Sequence, residues 1–307
     1  MTQESVAAII VTCNRLAKLK RAVLRILDQD VSGMVVVDNL SEDGTADWLM
    51  SLQSDRLIVC FPEKNIGGAG GFALGCNEAK LKFSPDWFLL CDDDAYPDKE
   101  LIKQFLATRK DDGTGIISAA VYTPDKEIAE MNRPLLKMPK TRFDTIKYFG
   151  GKRSKFILPD LAYKAATQIS VQGSSFVGCF IRKNVIEKLG LPRKELFLYG
   201  DDLIYTQLSV SSGYRNLFCS DLIFYHDIVT GDKDIQPVWK IFYLMRNQIE
   251  VHRSVNKCNV RLPALIRFLF HLKNTIHQSQ KREYLKYLFL GFYDGIRQRF
   301  SRNVSCM

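Results

Sequence analysis

The chain has 307 residues, of which 46% are hydrophobic and 25% charged, and its formal net charge is +9. This is an ordinary globular composition, and the length allows one large domain with an extension or two modest ones. No apolar run reaches the ~18 residues that a helix needs to cross a bilayer.

The eight cysteines (Cys13, Cys60, Cys76, Cys91, Cys179, Cys219, Cys258 and Cys306) form no Cys-x-x-Cys pair. Several lie inside apolar runs, so reduced thiols in a cytoplasmic protein are expected. Met1-Thr2-Gln3-Glu4-Ser5 lacks a basic region followed by an apolar one, so no secretory leader is expected. The charge is uneven. Thirteen Lys and Arg stand against three acids from Ile235 to Met307, and the rest of the chain is close to neutral. A basic tail on a neutral body points to a polyanionic neighbour.

In chain order, Val6 to Thr12 is a continuous apolar run suited to a parallel strand buried on both faces. Thr12-Cys13-Asn14-Arg15 breaks it, and Leu16 to Asp28 has helical spacing. Gly33 to Asn39 is a second buried strand, ending in Asp38. Ser41 to Thr45 reads as turn and cap before a helix through Trp48 and Leu52, and Leu57 to Phe61 as a third strand. Strands alternating with helices predict an α/β fold with a doubly wound, mostly parallel sheet.

The run Asn65 to Gly75 is rich in glycine. Gly68-Ala69-Gly70 begins a dinucleotide fingerprint, but Ala73 replaces its last glycine and the run follows the third strand, not the first. A flexible surface loop is a second reading. The preferred one is a tight loop feeding a closely packed helix beside the substrate.

Trp87 to Cys91 is a strand ending in Asp92-Asp93-Asp94, after which Pro97 is expected to open a helix over residues 98–110. Alternate residues of an extended segment share a face, so Asp92 and Asp94 would point into one site and Asp93 away. Mg²⁺ and Mn²⁺ prefer such carboxylate oxygens, whereas the blander reading is a solvated acidic turn. In open sheets ligands bind beyond the carboxyl ends of strands, and residues 12–15, 38–39 and 92–94 all occupy that rim.

Ile116 to Tyr122 is another strand. From Thr123 to Lys164 four prolines punctuate a basic, irregular segment with no catalytic pattern, read as a lid or as a disordered connection. Two strand-like pieces then flank Gly173-Ser174-Ser175, and a helix over 183–189 stops at Gly190. Asp201-Asp202 follow an aromatic run at a helix start, where N-terminal capping is the alternative to a catalytic role. Leu217 to Phe224 leads into His226, read equally as a metal ligand or a core residue.

Taken together, these motifs resemble family 2 of the inverting nucleotide-sugar glycosyltransferases, which have the GT-A fold. They run from the opening strand with Thr12 to Arg15, through Val35 to Asn39, Asn65 with its glycines, Asp92 to Asp94 and Gly173 to Ser175, to Phe197 to Asp202. Within the family the look is that of bacterial galactofuranosyl- and rhamnosyltransferases. The resemblance implies that Thr12, Asn14 and Arg15 line the nucleotide pocket and that Asp38 accepts a hydrogen bond from uracil. Asn65, Gly67, Gly68 and Gly71 would shape the donor pocket with Asp92 and Asp93, and Gly173, Ser174 and Ser175 would floor it. Asp92, Asp94 and His226 would hold a divalent metal, Mn²⁺ or Mg²⁺. Asp202 matches the catalytic base and Asp201 an acceptor contact. Many members carry a further acid two residues after the base, where this chain has Ile204, so the choice between Asp201 and Asp202 stays open.

The expected architecture is a GT-A catalytic domain over 1–232, its nucleotide half 1–122 and its acceptor half 165–232, then a basic helical region over 233–307. The expected reaction is metal-dependent inverting transfer of a sugar, galactofuranose from its UDP donor being favoured, to a cell-surface glycan that can be lipid-linked. A nucleotidyltransferase would need a Gly-rich phosphate loop after the first strand, and residues 12–15 offer none. A non-catalytic scaffold is the third reading. The tail mixes aromatics with cations on amphipathic helices, which suits the cytoplasmic face of an anionic membrane. Its alternative is packing on the catalytic domain or on a second copy. No nucleic-acid motif accompanies the basic residues.

Overall fold

The computed structural model describes residues 4–166, 168–228 and 234–305. Its first half is a run of parallel units: β1 (Val6–Thr12), α1 (Leu16–Leu27), β2 (Gly33–Asp38), α2 (Thr45–Ser51), β3 (Leu57–Cys60), α3 (Gly67–Lys82) and β4 (Trp87–Asp92). Then come β5 (Ala95–Pro97), α4 (Leu101–Ala107), β6 (Thr114–Tyr122), α5 (Arg142–Phe149) and α6 (Asp160–Lys164). Next come β7 (Gln168–Val171), β8 (Cys179–Arg182), α7 (Lys183–Leu189), α8 (Asp201–Ser211) and β9 (Arg215–His226). Helices α9 (Lys240–Val255), α10 (Arg261–Asn274) and α11 (Lys281–Arg297) close the chain.

The strands form one sheet in the order β3-β2-β1-β4-β8-β6-β9-β5, with β7 also on β9. Strands β3, β2, β1 and β4 are parallel, as their uninterrupted apolar runs predict. Strand β8 is antiparallel to both β4 and β6, so the second half is mixed. Alternate residues of β1 feed the two cores: Ala8 and Ile10 pack with α1 and α4, and Ala7 and Ile9 with α3 and α7.

Three local expectations change. Pro97 does not open a helix. It ends β5, an edge strand whose one partner among the described residues is β9, where a residue without an N–H is tolerated, and the helix begins at Leu101. The glycine run is helical from Gly67 onward, so the loop is confined to the residues before it. A Cβ added at Gly71 would lie 2.4 Å from Val11 Cγ1, and one at Gly75 2.5 Å from Ile9 Cγ2. These glycines let α3 lie directly on β1. The segment 123–164 is not a disordered connection either: Thr141 and Asp144 form a reciprocal N-terminal cap on α5, and Leu135 bridges to Ile157 and Gly173.

The expected domain boundary at 232/233 lies outside the described residues. Beyond it, α9 is sheathed by α8, α10 and α11 and shares a core with Phe197. Among the described residues no helix is long and apolar enough to cross a membrane.

Candidate active site

The carboxyl ends of β1, β2 and β4 lie side by side, with Thr12 opposite Asp38 and Val11 opposite Asp92. Thr12 Oγ1 donates to Asp93 Oδ2 at 2.8 Å. Arg15 Nη1 lies 3.3 Å from Asp93 Oδ1 and 2.5 Å from Asp94 Oδ2. Asn14, in the left-handed region at φ 55°, ties this turn to the next, its N–H donating to Ser41 Oγ and its Oδ1 accepting from the Glu42 N–H. Asp38 is buried and accepts from the Ser41 N–H at 3.0 Å. Asn65 Oδ1 accepts from the Gly67 N–H at 2.8 Å, which starts α3. Asn39, given no role from sequence, latches that start by accepting from Ile66 N–H and donating to Gly67 O.

Asp92 and Asp94 each turn a ligand atom toward His226, all within 4.8 Å of one another, while Asp93 turns to Thr12 and Arg15. The reversal through β5 makes this possible, because it pairs Ala95 with His226. His226 Nε2 lies 3.0 Å from Asp94 Oδ1, and its Nδ1 lies 2.8 Å from Asn132 Oδ1. Asn132 Nδ2 in turn donates to Ser175 Oγ at 3.0 Å. With Asn132 accepting at Nδ1, Nε2 is the nitrogen turned to Asp94 and the one a metal would take, the usual arrangement of a ligating histidine and its supporting carbonyl. Two carboxylates and one imidazole fit Mn²⁺, and less closely Mg²⁺, which favours an all-oxygen set.

Asn132 comes from the segment in which sequence showed nothing catalytic. Lys18 was missed as well: its ammonium donates to Asp227 O, and the Asp227 N–H donates to Asp94 O. So was Lys240 at the start of α9, pushed down by burial and by the Arg15 charge beside it. A polar residue between prolines and a basic residue at a helix start are too common to stand out in one sequence.

Close to this cluster, Asp201 and Asp202 occupy the first turn of α8, which Gly200 enters at φ 82°. Asp202 Oδ1 accepts from the Leu203 N–H at 2.7 Å. Thr206 of α8 accepts from the Ser174 N–H at 3.2 Å, holding the Gly173–Ser175 loop against that helix. Gly67, at φ 70°, sits where an added Cβ would lie 2.1 Å from Phe197 O, so the first turn of α3 docks on the loop before Asp201. Gly68 is open by comparison, with only Leu198 Cδ1 at 4.0 Å.

Burial dominates the electrostatics. It raises Asp92, with the charges of Asp94, Asp93 and Asp202 adding to it against His226. It pushes Asp93 up to about 6 despite Arg15. Asp94 is buried too, but the hydrogen bond and charge of His226, with Arg15, hold it below the usual carboxylate range. Asp201 and Asp202 are both raised by burial; Asp202 and Asp92 push Asp201 further, whereas the Leu203 N–H favours the ionised form of Asp202. The two acid clusters thus lie near enough to feel one another's charge. Such a site can bind a cation at one wall and take a proton at the other.

The family model for glycosyl transferase family 2 matches residues 7–190. Galactofuranosyltransferase GlfT1 of Mycolicibacterium smegmatis is 27% identical over 241 residues, 76% of this chain and 74% of the relative. Its counterpart in Mycobacterium tuberculosis is 28% identical over 244 residues, 76% and 73% of the two chains. Among solved structures, residues 1–349 of S. aureus TarS superpose with a TM-score of 0.55 at 15% identity, covering 96% of this chain and 82% of that one. GalNAc-T7 with UDP, GalNAc and Mn²⁺ gives 0.57 at 14% identity, covering 99% and 60%. The mannosyltransferase PcManGT of Pyrobaculum calidifontis with GDP-Man and Mn²⁺ gives 0.53 at 13% identity, covering 97% and 89%. The shared feature is the GT-A fold.

Proposed function

From the premise that this chain belongs to glycosyl transferase family 2 and is a glycosyltransferase, we propose that it is metal-dependent and inverting. On this reading it moves galactofuranose from UDP-galactofuranose to a hydroxyl of a growing cell-surface glycan. One observation carries the proposal: the Asp92, Asp94 and His226 ligand set stands near enough to the Asp201–Asp202 pair for Asp92 to feel the charge of Asp202 and Asp201 that of Asp92. The sugar is supported by the names of the curated relatives, and UDP by the ligands in two of the solved neighbours.

In this reading Asp38 receives the uracil ring, Thr12, Asn14 and Arg15 line the nucleotide pocket, and the first turn of α3 with Asn65, Gly67, Gly68 and Gly71 shapes its wall. A divalent ion held by Asp92, Asp94 and His226 would supply Lewis-acid stabilisation for the charge that builds on the departing diphosphate. Asp202 takes the proton of the acceptor hydroxyl as it attacks from the opposite face, and Asp201 holds that acceptor. Such a base contributes ~10²- to 10⁴-fold. Gly173, Ser174 and Ser175 floor the cleft. The exposed apolar and basic face of α10 and α11 meets an anionic membrane surface, where a lipid-linked acceptor would be presented.

The test is a panel of sugar nucleotides with purified protein and Mn²⁺, read as nucleoside diphosphate release. UDP-galactofuranose should give the fastest release, and excess chelator or Asp94→Ala should abolish it. Faster release from another sugar nucleotide overturns the donor assignment, and full activity in chelator overturns the metal.

A further inference from the structure

The five residues that precede the acid pair follow an unusual path. Phe197 has φ 65° and ψ −58°, and the Leu198 N–H donates to Leu196 O at 2.7 Å, which is a γ-turn of the rare, strained hand. Tyr199 has φ 67° and Gly200 φ 82°. Neither Phe197 nor Tyr199 is a glycine, so this backbone persists only where its surroundings over-determine it.

Those surroundings come from α9. The Asn247 side-chain nitrogen lies 2.9, 2.7 and 2.9 Å from the carbonyl oxygens of Leu196, Leu198 and Tyr199. Arg246 donates from Nη2 to Leu196 O at 2.8 Å and from Nε to Asn247 Oδ1 at 2.8 Å. A guanidinium only donates, so it fixes which end of the amide faces the turn. Both residues are fully buried. The Ala69 N–H donates to Phe197 O at 3.1 Å from the other side, on α3. Every carbonyl from Leu196 to Tyr199 is therefore held, and a buried cation, costly to place, is directed at backbone and not at an acid.

We propose that Asn247 and Arg246 are positioning residues that hold the 196–200 turn in its strained form, and through it aim Asp202 across the cleft. This rests on Asp202 as the base. It makes the basic C-terminal region a working part of the catalytic unit.

The test compares Asn247→Ala with Arg302→Ala in the full chain. Arg302 pairs with buried Asp294 at 2.7 Å and, among the described residues, makes no hydrogen bond to the turn, so its loss is the control for stability. Asn247→Ala should lower turnover of UDP-galactofuranose, read as UDP release with water as acceptor, by ~10²-fold, since a misplacement of ~1 Å has that effect. Its Kd for UDP with Mn²⁺ should stay within twofold. Amide hydrogen exchange over 197–203 should quicken in Asn247→Ala and not in Arg302→Ala. If the two variants lose turnover in proportion to their loss of Tm, or if exchange over 197–203 is unchanged, the proposal falls. Should Asn247→Ala not fold, Arg246→Lys, which keeps the charge and loses the fork, is held to the same readouts. Asp202→Asn separates the premise: if it turns over normally the base assignment fails, whereas an inert Asp202→Asn beside an unimpaired Asn247→Ala removes only the clamp.

Discussion

Asp201 and Asp202 are adjacent in sequence, both raised by burial, and still unequal. Asp202 accepts a backbone N–H that favours its charge, whereas Asp201 suffers the charges of Asp202 and Asp92, so Asp202 ionises first. Asp202→Asn should stop transfer while leaving the Kd for UDP and Mn²⁺ within twofold; calorimetry that shows binding lost in step with turnover would refute the base role. The base works ionised, and burial has raised its pKa, so turnover should fall as pH drops through about 6, well above the ordinary carboxylate range. A profile flat to pH 4.5 would contradict this. Asn132 acts on the other wall through the tautomer of His226. Asn132→Ala should weaken Mn²⁺ binding ~10- to 100-fold, measured by titration calorimetry, with UDP binding in the absence of metal unchanged. At this scale Asp92 to Asp94 and His226 were legible because strand ends display them, and Asp201-Asp202 because they follow an aromatic run at a helix start. Asn132 was not, because its role depends on where an irregular segment folds back.

Element α3 shows how a glycine run can mean opposite things. Its sequence permits a phosphate-binding fingerprint, a loose loop or a tight helix, and the structure selects the last because Gly71 and Gly75 meet β1 at van der Waals range. Gly71→Ala should therefore cost ~1–3 kcal/mol by overpacking against Val11. Gly68→Ala, whose added Cβ meets only Leu198 Cδ1 at 4.0 Å, should be neutral or slightly stabilising through helix propensity. Urea denaturation of the two variants distinguishes them, and equal midpoints would show that the contact with β1 is not what the glycines serve. The parallel strands were readable from their apolar runs alone. The antiparallel β8 and the edge strand β5 were not, since short strands carry little periodicity and their partners are set by tertiary pairing. Pro97 shows this: its fixed φ suits both a first helical turn and an edge strand, and only the pairing of β5 with β9 decides.

Over the whole molecule, the C-terminal region has two faces with different tasks. Its inner face, α9, is buried against α8 and the 196–200 turn, so removing residues 265–307 would uncover α9 and test folding more than membrane binding. The outer face is different. Of the twenty exposed large apolar side chains among the described residues, eight lie between Leu265 and Ile296, on and just after α10 and on α11. The edge-to-face contact of Phe268 with Phe289 at 5.0 Å brings the two helices' apolar residues together. Exposed Arg261, Lys273, Lys281, Arg282, Lys286, Arg297 and Arg299 accompany them on the same helices and their flanks. Apolar side chains for the acyl boundary and cations for its headgroups are the two components of interfacial binding. Leu269→Glu with Phe270→Glu places two charges in this face without touching the core, since both residues are more than half exposed. The double variant should keep its Tm and its UDP release in solution, and should no longer sediment with vesicles containing phosphatidylserine. The parent protein should sediment with them at low salt and less so as salt rises. A parent that ignores such vesicles, or a double variant that sediments as before, would leave this face to a second protein copy instead.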